Sequence, residues 1–141
     1  MKVTTSSFNM VVPYYRTNGI AYIAIARNPN ILFTQTIDRY AVGRCVVKAH
    51  DARSLTKEQL FSILDFIDKL VDEIPETESI LIYCDDNINI CELYNVVRSY
   101  LDTIGKKDEQ GYIYRGYCDK KIDDQYSEWL TEYISGRDKI L

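Results

Sequence analysis

Apolar residues recur at spacings of three and four through Leu60, Ile63, Leu64, Ile67, Leu70, Val71 and Ile74. That period gathers them on one face of an α-helix. Thr56 and Gln59 form a capping-box pattern ahead of it, with Leu55 and Leu60 where a hydrophobic staple belongs, and Pro75 stops it. The next run, Ser79–Cys84, is short and almost wholly apolar, as expected of a strand buried on both faces. Asp85-Asp86-Asn87 ends that strand. A second helix begins near Asn89, with Glu92 completing a capping pattern and Ile88 and Leu93 as a staple. Its face is Leu93, Val97, Tyr100, Leu101 and Ile104, and Gly105 stands where a left-handed C-terminal residue is needed.

Residues on either side of these helices read as β. Phe8–Tyr15 and Ile20–Arg27 flank Asn18-Gly19, the strongest short signal for a hairpin. Asn28-Pro29-Asn30 marks a second turn. A third strand is predicted at Ile31–Ile37, and a fourth, or a continuation after a bend at Gly43, at Arg44–Ala49. Tyr112–Cys118 is a last strand. Asp123 or Asp124 caps a third helix that carries Tyr126, Trp129, Leu130, Tyr133 and Ile134 and ends before Gly136. The pattern predicts one domain over residues 1–141, of α/β (α+β) class. Its mixed sheet has about five strands, antiparallel at the N-terminal end, followed by alternating helices and strands.

The chain of 141 residues is long enough to bury a core without staples. Its longest apolar stretches, such as Ile20–Ala26, fall far short of the ~20 residues of a membrane span. The first residues lead into no apolar run of signal-peptide type, so a soluble cytoplasmic protein with no membrane contact is expected. Cys45, Cys84, Cys91 and Cys118 lack Cys-x-x-Cys spacing, and His50 is the only histidine. Free thiols are therefore expected rather than zinc ligands or disulfides.

Charge divides the chain. Residues 1–50 hold six Lys and Arg against one acid, Asp38, whereas residues 51–141 hold eleven against twenty. From Asp65 to Glu92 there are nine acids and a single base, Lys69. Asp65, Asp68 and Asp72 share a stripe of the first helix, either a solvated face or a surface that steers a basic partner. Tyr14, Tyr15, Tyr22 and Tyr40 interleave with Arg16, Arg27, Arg39 and Arg44, a composition that suits an interface or a stacking surface for nucleic acid. His50 beside Asp51 has the composition of a general base with its orienting acid, but no local motif marks a nucleophile. Walker, GxGxxG and HExxH patterns are absent.

Strands, a helix, a buried strand ending in Asp and a further helix, over roughly residues 8–135, resemble the ribonuclease H-like fold. The resemblance implies a magnesium-dependent nuclease, or a degenerate relative that binds nucleic acid. Its helix Glu matches Glu58, its strand-end Asp matches Asp85 or Asp86, and its late acid matches Asp123 or Asp124. The first-strand Asp of that family has no counterpart, because Phe8–Arg27 contains no acid and offers Arg16 instead. Residues Ile80–Tyr94 are also similar to the end of a GNAT acetyltransferase domain. The turn from Ala49 to Ser54 has no glycine with which to cradle a pyrophosphate, so coenzyme A is not expected. The leading expectation is a small binding or regulatory protein of inhibitor or immunity type, not an enzyme and without a cofactor. It acts on a protein partner through Asp65, Asp68 and Asp72, or through Tyr14, Tyr15, Arg16 and Arg27.

Overall fold

The structure is a computed structural model and describes residues 1–7, 19–27, 41–84, 90–106 and 122–140. Among these described residues, four strands, β1 (Lys2–Ser7), β2 (Ile20–Ala26), β3 (Gly43–Lys48) and β4 (Ser79–Cys84), form one sheet in the order β1-β4-β2-β3. Each neighbouring pair is parallel. Three described helices accompany them: α1 (Lys57–Glu73), α2 (Ile90–Thr103) and α3 (Asp124–Ile140).

This corrects the expected mixed sheet of about five strands with antiparallel N-terminal strands. No antiparallel hairpin partner adjoins Ile20–Ala26 in the sheet, because β4 and β3 occupy its two sides and both run parallel to it. Gly19 does take a positive φ of 80°, but its carbonyl accepts from the Glu78 and Ser79 N–H groups, at 2.8 and 3.2 Å. The turn thereby ties the start of β2 to the start of β4. Ile20–Ala26 is buried at every position, the mark of a central parallel strand. The first strand lies in Lys2–Ser7, where Val3 is the one apolar residue and the pattern is silent. Phe8–Tyr15, Ile31–Ile37 and Tyr112–Cys118 lie outside the described residues.

Parallel register puts alternate residues of all four strands on a shared face. Val3, Ile80, Ala21 and Gly43 form one row, and Thr5, Ile82, Ile23 and Cys45 the next. This face packs on the helices, through Leu60, Ile63, Leu64, Ile67 and Leu70 of α1 and Leu93, Val96, Val97, Tyr100 and Leu101 of α2. Gly43 keeps the approach close, since a Cβ there would lie 3.2 Å from Leu70 Cδ2. On the opposite face, Tyr22, Ala24 and Leu81 are also buried, whereas Arg44, Val46 and Lys48 of β3 are exposed.

Local signals hold where the chain decides for itself. The capping box of α1 is complete: the Gln59 N–H donates to Thr56 Oγ1, and the Thr56 N–H donates to Gln59 Oε1. At the end of α2, Gly105 has φ 77° and the Lys106 N–H reaches the Leu101 carbonyl at 2.7 Å, the outer bond of a Schellman motif. The third helix departs from expectation by continuing through Gly136 to Ile140. A mid-helix glycine costs only ~1 kcal/mol against alanine, too little to stop a helix anchored by Tyr126 and Leu130.

Because β3 and β4 run parallel, the helices that follow them begin at one edge of the sheet. The Gln59 side chain fixes this relation by donating to the Lys48 carbonyl at 2.8 Å. No helix among the described residues is long and apolar enough to cross a membrane.

Candidate functional site

Beyond its apolar face, α1 presents Phe61, Asp65 and Asp68 to α3 at spacings of four and three, which align on one helix flank. The third helix answers with Glu132, Tyr133 and Arg137. Between them lies an open groove of about 620 Å³, lined by these six residues with Ser135 and Gly136. That volume lies in the range of ligand-sized sites.

The floor is aromatic. Tyr133 meets Phe61 edge to face with centroids 5.1 Å apart, and meets Tyr100 of α2 in the same manner at 5.6 Å. The Tyr133 hydroxyl lies 2.6 Å from Asp65 Oδ1 and 2.7 Å from Asp68 Oδ2. The Tyr100 hydroxyl donates to Asp68 Oδ1. Arg137 Nε is 3.7 Å from the same oxygen, with its guanidinium 5.9 Å from the Tyr100 ring centre. Burial, and then the adjacent carboxylates, hold both tyrosines well above the usual phenol range, with Asp65 and Asp68 acting on Tyr133 and Asp68 on Tyr100. Their hydroxyls stay protonated and serve as donors.

Lys57 is not part of the lining but contacts two residues that are: its Nζ lies 2.5 Å from Glu132 Oε1 and 5.5 Å from the Phe61 ring centre. The two side chains are 38% and 53% exposed, so water screens the pair. Exposed pairs of this kind contribute about 0–1 kcal/mol.

The expected stripe therefore divides. Asp65, itself exposed, and half-buried Asp68 turn toward α3 and accept tyrosine hydroxyls; Asp72 is exposed one turn further along α1. The sequence reading missed Glu132, Arg137, Phe61 and the polar role of Tyr133. Tyr133 and Arg137 share a helix flank at spacing four, and that was the available signal.

The remaining candidates are dispersed. Asp85, Asp86, Tyr14, Tyr15 and Arg16 lie outside the described residues. Glu58 is exposed in the first turn of α1, and Asp124 is exposed in the first turn of α3. Arg27 follows β2 and donates from Nε to the His50 carbonyl at 3.3 Å. Among the described residues, no group of three His, Cys, Asp or Glu side chains could hold a metal ion. Asp51 does not orient His50 through a hydrogen bond; it accepts from the Arg53 N–H and Ser54 Oγ, both at 2.8 Å. Slight burial opposes its ionisation, but the Ser54 and Arg53 bonds and the neighbouring His50 outweigh that and lower its pKa.

The β3–α1 loop is fastened to α3 nearby. The Tyr126 hydroxyl donates to the Ala52 carbonyl, and Glu92 accepts from the Asp123 N–H while lying 3.8 Å from Arg53. Cys91 is disulfide-bonded, which corrects the expectation of free thiols throughout. Cys45 is free and half-buried, and burial pushes its thiol up to about 11. It is protonated at neutral pH and therefore a poor nucleophile.

Comparison with protein-family models, with curated proteins and with solved structures finds no match to this chain.

Proposed function

We propose that this chain is a binding protein that recognises a basic segment of a partner protein in the α1–α3 groove. One observation carries the reading: three carboxylates, Asp65, Asp68 and Glu132, stand over an aromatic floor of Phe61 and Tyr133, opposed within the lining by Arg137. A carboxylate offers about four lone-pair positions, so the hydroxyl bond to Asp65 Oδ1 leaves that residue able to accept from a ligand. A lysine or arginine side chain suits such a place, with its charge on the carboxylates and its stem or guanidinium plane on the rings. Tyrosine-lined, acid-rimmed surfaces of this type give specificity and fast encounter more than raw affinity.

The test is calorimetric titration of the protein with a blocked penta-arginine peptide and with a penta-glutamate control. Binding of the arginine peptide alone is expected, weakening as salt rises and falling in Asp65→Asn and in Glu132→Gln. Equal binding of both peptides, or arginine binding unchanged in both variants, would remove the groove from consideration.

A further inference from the structure

We propose that Lys57 is a built-in competitor for the groove: in the free protein its ammonium holds the place that a partner's basic side chain takes on binding. This rests on the reading of the groove as a site for basic segments.

Lys57 reproduces within the chain the two contacts that a bound cation would make. Its Nζ meets Glu132 Oε1 at 2.5 Å and stands over the Phe61 ring at 5.5 Å. Carboxylate plus ring face is the combination that recognises ammonium and guanidinium groups elsewhere. Two lining residues of the groove thus already hold an ammonium, seventy-five positions away in sequence from the carboxylate it meets.

Three features make this occupant easy to displace. Both partners of the pair are substantially exposed, so the ion pair is screened by water. Lys57 is the first residue of α1, where the helix dipole disfavours a positive charge. A lysine ammonium also contacts a carboxylate as a point charge, whereas an incoming arginine can present two parallel N–H donors. When such a side chain enters, Lys57 swings into solvent at little cost, and Glu132 and the Phe61 face change partner. Lys57 therefore weakens the binding of basic segments by a few-fold. Asp65 and Asp68, already committed in part to Tyr133 and Tyr100, stay in place.

The experiment compares wild type with Lys57→Met, which keeps the apolar stem and deletes the charge, and with Lys57→Gln. Each is titrated with the penta-arginine peptide at low ionic strength. The ε-methylene resonances of Lys57 are followed in the wild type during its titration. Both variants should bind about three- to five-fold more tightly than wild type. The Lys57 resonances should move away from their ring-shifted position as peptide is added. Binding that is unchanged or weaker in both variants overturns the competitor role while leaving the groove as the site. Peptide binding with unmoved Lys57 resonances does the same. Absence of peptide binding in wild type and in both variants overturns the groove reading itself, and this inference with it.

Discussion

Tyr126, in the first turn of α3, places its hydroxyl 2.7 Å from the Ala52 carbonyl, across a sequence separation of 74 residues. The same oxygen accepts from the Leu55 N–H at 3.0 Å. One side chain, 2% exposed, thus satisfies two backbone groups of the β3–α1 loop and sets where α1 begins relative to α3. The groove between those helices depends on that spacing.

Tyr126→Phe should therefore cost stability without altering packing volume. Leu55 N–H and Ala52 C=O lose their partner inside the protein, and such unsatisfied groups cost about 1–3 kcal/mol. Urea denaturation should show a lower midpoint at an unchanged slope. A midpoint equal to wild type would mean that water replaces the hydroxyl freely and that the loop is not held there.

Alkaline pH should unfold the protein earlier than ordinary tyrosines would allow. Burial, with the Leu55 bond opposing it and Asp51, Asp123 and Glu92 adding to it, pushes Tyr126 up to about 12. Burial and neighbouring carboxylates push Tyr100 and Tyr133 higher still. A raised folded-state pKa means that the neutral form is favoured by folding. The resulting stability is complete below the unfolded value of about 10 and is lost as pH rises through the folded value. Melting temperature should fall steeply above about pH 10, and ultraviolet titration should show these tyrosines ionising only with unfolding. Three phenols titrating near their ordinary value in the folded state would contradict the buried Tyr100–Tyr133–carboxylate cluster.

The acidic stripe should behave unevenly under mutation. Asp68→Ala removes the acceptor of the Tyr100 hydroxyl, shares in the loss at Tyr133 and releases Arg137. A destabilisation of about 1–3 kcal/mol is expected, because Tyr100 is fully buried. Asp72→Ala, at an exposed position, should stay within about 0.5 kcal/mol of wild type. Equal denaturation midpoints for the two variants would show that the stripe is a uniform solvated face after all.

Two glycines separate backbone strain from packing. Gly105→Ala meets nothing within 4 Å but must adopt φ 77°, a left-handed cost of roughly 1 kcal/mol. Gly43→Ala carries no such strain, yet its Cβ would press on Leu70 Cδ2 at 3.2 Å and Phe66 Cε1 at 3.3 Å. Overpacking of this kind costs about 1–3 kcal/mol. Combining Gly43→Ala with Leu70→Val should recover part of its loss in thermal melts, whereas Gly105→Ala combined with Leu70→Val should show only the sum of its two separate losses.

Sequence alone determined the elements whose causes are local. The Thr56–Gln59 box, the spaced apolar face from Leu60 to Leu70, the Ser79–Cys84 strand and the Gly105 terminus all lie within a few residues of the signals that specify them. Tertiary structure decided strand direction. Asn18-Gly19 carries the same turn chemistry whether the next strand pairs backward or the chain crosses over, and only the burial of Ile20–Ala26 on both faces selects the parallel sheet. Lys2–Ser7 is a strand because β4 offers it a ladder, not because Lys-Val-Thr-Thr-Ser-Ser announces one. The groove was legible by half. The spacing of Asp65 and Asp68 placed them on one flank of α1. Their partners Tyr133 and Arg137 come from a helix more than sixty residues on, brought there by packing against a core that both helices share. Local periodicity states which face of a helix is polar; the element packed against that face is fixed only when the sheet beneath both helices has formed.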